Sequence, residues 1–342
     1  MPAVDLDFPF ADPPAPGRAI EIRPGLRWAR FALPFRLDHV NVWLLEDADG
    51  WTVIDSGIYD ERTRAQWEEL IAGDLAKHPI RRVVATHFHP DHVGCAGWLV
   101  ERFRAAFYMP RSEWLFARML TLEQGEEAIA TWSDWYRRHG VAADVVGKMV
   151  GRGGYYSRSV SKIPTRYRRL INGDTHELSG RAWRVATFGG HAPEQATFDC
   201  AADGLFISAD QLLPQISPNV SVTPAEPDGD PLAEFLASLD AMEQIGDDRL
   251  VLPMHGLPFR GLTTRVGQLR EHHVSRLARV LELASKPATI VELCAGLFRA
   301  DLDLQQMSFA IGEALAHANH LVRQGKLRRV TDDDGVDRYI KN

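Results

Sequence analysis

Short apolar runs separated by turn residues set the rhythm of the first two-thirds of the chain. The runs Val40 to Glu46 and Trp51 to Asp55 flank Asp47-Ala48-Asp49-Gly50, which predicts a β-hairpin. From Asp60 to Ala72 the residues Trp67, Leu70 and Ile71 recur on one helical face, and Arg82 to Thr86 then predicts a buried strand. This strand-helix-strand alternation points to an α/β domain. Helical periodicity occupies positions 110–169, through Trp114, Leu115 and Met119 and then Ile129, Trp132, Trp135 and Tyr136. It ends in Gly151-Arg152-Gly153-Gly154-Tyr155-Tyr156, so a helical insertion with a mobile tip is expected there, its aromatic residues mostly forming its own core. Strands resume at Trp183 to Thr187, Ala196 to Cys200 and Leu205 to Ala209. A Pro/Ser/Asp-rich loop from Leu213 to Pro231, a helix from Pro231 to Gln244 and a strand from Leu250 to Pro253 complete the domain.

The pattern changes near Thr264. Three helical runs (Val266 to Ala284, Thr289 to Leu297, Gln306 to Gln324) precede a terminal hairpin across Leu327 to Ile340, an order that predicts a winged helix. Residues 265–342 carry 12 basic and 10 acidic side chains, a balance that favours packing or dimerisation over a nucleic-acid footprint. At the other end, residues 1–17 have the Pro/Asp/Ala composition of a surface arm. The expected division is therefore an arm (1–17), a main domain (18–264) and a C-terminal domain (265–342).

Composition narrows the class. With 45% hydrophobic and 25% charged residues among 342, the chain is an ordinary globular protein, which excludes collagen-like, coiled-coil and disordered readings. A net charge of −7 leaves no global positive field for nucleic acid or anionic lipid, and no apolar run approaches the ~18 residues a membrane span needs. Cys95, Cys200 and Cys294 form no paired motif, so a reducing, cytoplasmic setting is expected.

The chemistry concentrates in Thr86-His87-Phe88-His89-Pro90-Asp91-His92, which follows a predicted strand and precedes a helical run. Strand alternation would point His87 and His89 to one side, where both imidazoles can reach one ion. Asp91 and His92, turning onto the helix, can hold a second ion nearby. Nitrogen and oxygen donors of this kind suit zinc, with manganese or iron also compatible. His191, Asp210 and His255 each follow a short apolar run, and loops at one end of a sheet sandwich converge, so these three can join the first cluster.

This arrangement resembles the metallo-β-lactamase-fold hydrolases, whose marks are an H-x-H-x-D-H box and later isolated His, Asp and His positions. The resemblance spans about residues 20–262, and the tail is similar to the winged helix that follows this fold in certain relatives. It implies a four-layer αβ/βα sandwich carrying the helical insertion and the C-terminal winged-helix domain. It also implies that His87, His89 and His191 bind one metal, that Asp91, His92 and His255 bind the other, and that Asp210 bridges them. Asp55, in Asp55-Ser56-Gly57, matches the position that supports the metal loop from behind. The third motif departs from the pattern: Gly190-His191-Ala192-Pro193-Glu194-Gln195 stands where relatives often read Gly-His-Thr-Pro-Gly.

Two divalent ions ~3.5–4 Å apart would share a bridging water and lower its pKa from ~16 toward ~7, giving a metal-bridging hydroxide as nucleophile. Asp91 is the expected catalytic carboxylate that orients this nucleophile and moves its proton. Tyr155 and Tyr156, beside glycines, are candidate substrate contacts on a closing lid. The expected activity is metal-dependent hydrolysis of a small carboxylic ester, thioester or lactone, by an enzyme with no nucleic-acid or membrane partner that pairs as a homodimer. The alternatives are a phosphodiesterase or ribonuclease of the same fold, and a regulator whose winged helix binds DNA while the metal domain senses a ligand.

Overall fold

The computed structural model describes residues 6–123, 125–151 and 153–342. A seven-stranded sheet runs in chain order through β1 (Ala19–Arg23), β2 (Leu26–Ala32), β3 (His39–Asp47), β4 (Gly50–Ile54), β5 (Ile80–Val84), β6 (Ala106–Met109) and β7 (Arg168–Arg169). The first four strands form an antiparallel meander, and the next three join parallel. Parallel joins need crossovers. These are α1 (Glu61–Ala72), then α2 (Pro90–Val93) with α3 (Ala96–Phe103), and finally the whole insertion: α4 (Arg111–Leu122), α5 (Glu126–Arg138), α6 (Ala143–Val150) and α7 (Tyr155–Ser159).

The second sheet contains β8 (Thr175–Leu178), β9 (Arg181–Phe188), β10 (Gln195–Cys200), β11 (Leu205–Ala209) and β12 (Leu250–Pro253), the last added parallel through α8 (Pro231–Glu243). Strand alternation explains the layering. Leu205, Ile207, Leu250 and Leu252 enter the core between the sheets with Trp28, Trp43, Trp183 and Phe198. Phe206 and Val251, one residue out of phase, pack on the opposite face against Leu232, Phe235 and Leu239 of α8. With α1 and α3 covering the first sheet through Trp67, Leu70 and Leu99, the layers run helix, sheet, sheet, helix, the expected αβ/βα sandwich.

The C-terminal unit comprises α9 (Leu262–Leu283), α10 (Ile290–Leu297), α11 (Leu304–Arg323) and the hairpin β13 (Leu327–Thr331) and β14 (Asp337–Lys341). Its helices share one apolar core with α8, α5 and α6. The division expected after position 264 falls within the first turn of α9. Among the described residues, no helix is long and apolar enough to cross a membrane.

Three expectations change. Residues 1–5 of the arm lie outside the described residues, and the rest of it does not simply cover the surface: Leu6 is buried and Asp7 pairs with Arg260 as an isolated bridge. The insertion has no self-contained core, because Trp135 and Tyr136 are buried against the C-terminal unit and the Tyr136 hydroxyl lies 2.8 Å from Ser308 Oγ. Its glycine-rich tip closes into α7 on Gly154, whose φ of +73° suits glycine; Arg152 lies outside the described residues.

Packing of α9 on α11 buries His273 beside His317, whose Nδ1 donates to the Glu313 carbonyl, so that its Nε2 accepts from His273 Nδ1 at 3.2 Å. Burial lowers the His317 pKa to about 4, so between pH 6.5 and 4 the unfolded chain takes up a proton there that the folded chain refuses. Its contribution to stability is therefore lost as pH falls through that window. Glu313, pushed up to about 7 by burial, acts in the opposite sense over most of the same pH range, so the comparison must isolate His317. Urea unfolding of His317→Gln should show a pH 6.5-to-4 stability loss smaller than that of the parent by on the order of 3 kcal/mol. Parallel pH curves for the two proteins would contradict this assignment.

Candidate metal centre

Five loops at one end of the sandwich, those after β4, β5, β9, β11 and β12, build the centre. After β4 the chain enters Asp55 at φ +63°, and Asp210 follows Ala209 at φ +49° after β11; both are left-handed positions for non-glycine residues. Such strain is typical of functional loops held by their surroundings. Here the surroundings are explicit: Trp67 Nε1 of α1 donates to Ser56 O at 2.8 Å, and Gly94 lets α2 approach so closely that a Cβ there would meet Gly57 O at 2.5 Å. Gly190, at φ +104°, lets the His191 loop lie on Phe235, where a Cβ would meet the Phe235 Cβ at 2.5 Å.

The imidazoles are oriented from behind. His92 Nδ1 donates to Asp55 Oδ2 at 2.7 Å, His191 Nδ1 to Asn219 O at 2.8 Å, and His255 Nδ1 to His39 O at 2.7 Å. Thr86 gives its hydroxyl proton to Asp55 Oδ2, so His87 Nδ1 must donate to Thr86 Oγ1 at 2.9 Å. With Nδ1 donating, each of the four rings turns Nε2 inward, the atom through which it can ligate an ion. The expected strand geometry for the box is corrected: β5 ends at Val84, and His87 and His89 sit in the following bends, where His87 Nε2 lies 2.9 Å from His89 Nδ1.

The donors fall into groups matching the two expected trios, His87 with His89 and His191, and Asp91 with His92 and His255. Asp210 lies between them, its Oδ2 at 3.4, 3.5 and 3.2 Å from Nε2 of His92, His191 and His255. Asp91 Oδ2 is 3.5 Å from Nε2 of both His92 and His255. A third grouping, Asp55 with His87 and His92, is chemically different, because both Asp55 oxygens already accept hydrogen bonds from Thr86 and His92. Asp55 therefore supports the ligand rings.

This donor set fits metal ions. Nε2 of His92, His191 and His255 and Oδ1 of Asp210 are buried without a hydrogen-bond partner, a cost that an ion removes. Tetrahedral zinc at about 2.0–2.1 Å from its ligands spaces them about 3.3–3.4 Å apart, close to the distances here. Burial holds His87 and His191 below the usual histidine range and His89 at about 3, so these rings are neutral and ready to ligate. Burial opposes ionisation of Asp91 and Asp210 too, yet His92 and His255 pull both carboxyls low, and the carboxylates pull those two histidines up. The pocket calls for positive charge, which divalent ions supply.

Comparison with known proteins agrees. The model of the metallo-beta-lactamase superfamily matches residues 35–255, and that of the metallo-beta-lactamase-like C-terminal domain matches 277–342. The chain belongs to the metallo-beta-lactamase superfamily. Among solved structures, a beta-lactamase domain protein from Burkholderia ambifaria is 43% identical, with a TM-score of 0.92 over 98% of each chain. A metallo-beta-lactamase family protein from Thermus thermophilus is 28% identical, with a TM-score of 0.80 over 94% of this chain and 100% of that one. The "Probable metallo-hydrolase YqjP" of Bacillus subtilis is 25% identical over 85% of this chain and 90% of its own length. Hydroxyacylglutathione hydrolase of Pseudomonas paraeruginosa is 39% identical over 100 residues, which is 28% of this chain and 35% of the relative. As a member of this superfamily the protein is a metallohydrolase, and the matched C-terminal domain takes in the end of α9 and everything after it.

Several supports of the superfamily centre were not anticipated. Glu113 of α4 is completely buried and accepts from Phe88 N at 2.9 Å and from Glu194 N at 2.6 Å; burial pushes its pKa up to about 8. Asn41 of β3 donates to Pro253 O and Gly256 O, both at 2.9 Å, pinning the loop that carries His255. His39 joins it, accepting from Gly256 N through Nε2. A buried asparagine inside the apolar run Val40 to Leu45 was the available signal; Glu113 resembled an ordinary first-turn acid. Of the lid candidates, Tyr156 commits its hydroxyl to Phe88 O at 2.7 Å, and Tyr155 packs edge-on to Phe35. Cys95, buried beside Ile58 O, stays outside the donor groups.

Proposed function

We propose that this protein is a dinuclear zinc hydrolase acting on a small carboxylic ester, thioester or lactone. The observation that carries this reading is Asp210 Oδ2 placed between Nε2 of His191 on one side and of His92 and His255 on the other. His87, His89 and His191 would hold one ion, and Asp91, His92 and His255 the other, with Asp210 shared. Bound there, divalent ions supply a water ionised at neutral pH and polarise the substrate's carbonyl. Asp91 faces His92 and His255 with Oδ2, which leaves Oδ1 to accept the attacking water's proton and pass it to the leaving group.

An acyl substrate is supported by the apolar surface beside His89. The Phe88 ring centroid lies 4.5 Å from that of His89 and 5.4 Å from that of Phe116, tilted rings that together offer an apolar surface to a carbon chain. The thioester preference follows the local similarity to hydroxyacylglutathione hydrolases. Against a nucleic-acid role, two of the terminal hairpin's cations are already paired, Arg329 with Asp228 at 2.8 Å and Arg338 with Asp332 at 2.9 Å.

The test is a set of initial rates on matched thioesters, lactones, carboxylic esters and phosphodiesters, with zinc- and manganese-loaded protein. Acyl substrates should turn over at least about tenfold faster than phosphodiesters, a transition-state difference of about 1.4 kcal/mol or more. A phosphodiester rate above all acyl rates would overturn the substrate assignment.

A further inference from the structure

The departure of the third motif from the family pattern has a structural counterpart. Glu194 N donates to Glu113 Oε1 at 2.6 Å, while Ser112 N, also in the first turn of α4, donates to Glu194 Oε2 at 2.9 Å. The His191 loop and the insertion thus exchange carboxylates. The other oxygen of Glu113 accepts from Phe88 N at 2.9 Å, the peptide lying between His87 and His89. On the far side of the same residue, Tyr156 of α7 donates to Phe88 O at 2.7 Å. Residue 88 is therefore held through both its N–H and its C=O by side chains of the insertion.

Glu113 has no lysine or arginine partner among the described residues. A completely buried carboxyl group is costly, and an apolar side chain would fill that space more stably unless both amides needed to be held in register. Those amides flank the ligands of a single trio: one sits between His87 and His89, the other three residues beyond His191. The rings of the second trio are held by Asp55 and His39, with Asn41 pinning the His255 loop; Asp55 also reaches His87 through Thr86, but neither Glu113 nor Tyr156 contacts these supports.

We infer that Glu113 and Tyr156 are positioning residues for the His87–His89–His191 trio, and that the insertion acts as a splint setting the affinity of that one site for its ion. The inference rests on the dinuclear reading. The splint meets the box at Phe88, between His87 and His89, and the His191 loop at Glu194, whereas Asp91 and His92 lie further along the box on α2, tied to Ser56 and Asp55, so weakening the splint should affect the first site far more than the second.

The experiment measures zinc affinity by chelator competition in two backgrounds, together with zinc stoichiometry of the parent. His255→Ala leaves the trio intact, and His89→Ala leaves the Asp91–His92–His255 set. Glu113→Gln keeps the volume but turns an NH2 toward one of the two amides. It should weaken zinc binding by roughly 10–100-fold in the first background and by less than about twofold in the second. Tyr156→Phe removes a single hydroxyl and serves if Glu113→Gln does not fold; it should show the same selectivity with a smaller loss. Two ions on the parent with equal effects in both backgrounds, or with no effect in either, would overturn the splint alone. Fewer than two ions on the parent would overturn the dinuclear reading and this inference together.

Discussion

Asp210→Ala should lower kcat/KM by roughly 10³-fold or more and reduce the metal content of the chain. The carboxylate faces Nε2 of three histidines at 3.2–3.5 Å and carries negative charge into a pocket where His92 and His255 would otherwise lack their main counter-charge. On the proposed dinuclear reading, removing it would take a shared ligand from both ions and several kcal/mol of charge stabilisation from the reaction, which is the origin of the magnitude. Asp210→Asn should fare little better, because a neutral amide offers one acceptor and no charge. Steady-state kinetics and elemental analysis of the purified variants test this. Two retained ions per chain with turnover within tenfold of the parent would refute the ligand assignment.

Asp55→Ala should destabilise even the metal-free fold, by about 3–5 kcal/mol, since it leaves several buried donors without an acceptor. Those donors are Thr86 N at 2.7 Å, Thr86 Oγ1 at 2.8 Å and His92 Nδ1 at 2.7 Å. The φ of +63° adds to the cost, because alanine tolerates the left-handed region less well than aspartate. With His92 unanchored and Thr86 no longer fixing the proton of His87 Nδ1, both rings lose their orientation. Affinity for metal should then fall by about 10–100-fold. Urea unfolding of the apo protein and chelator competition read the two effects separately. An apo stability within about 0.5 kcal/mol of the parent would show that the Asp55 network is not what holds this loop.

How far the sequence reveals such a centre depends on where each residue gets its partner. The box from His87 to His92 is legible because packing alone does not call for four metal-binding side chains within six residues. The sandwich is legible because runs such as Leu205 to Ala209 are buried on both faces. The mutual arrangement of the box is not legible, because His87 and His89 converge through bends after β5 and through the hydrogen bond that His87 gives Thr86, which donates in turn to Asp55. Edge strands escape for a similar reason. Thr175–Leu178 is a strand because β9 pairs with it, although three of its four residues are not buried. Glu113 and Glu194 meet across 81 positions, and nothing local to either marks it as buried or shared. Aromatic periodicity in the insertion correctly announces helices, yet it does not say what they pack on, and Trp135 and Tyr136 bury themselves against the C-terminal unit.

Together, His87, His89, His191, Asp210, Asp91, His92 and His255 should form one centre for two ions. Native mass spectrometry of the zinc-loaded parent chain, before and after chelation, measures that occupancy directly. Two zinc ions per chain, removed together with hydrolytic activity and restored with it, is the predicted result. A chain that binds no more than one ion under saturating zinc would contradict a dinuclear centre.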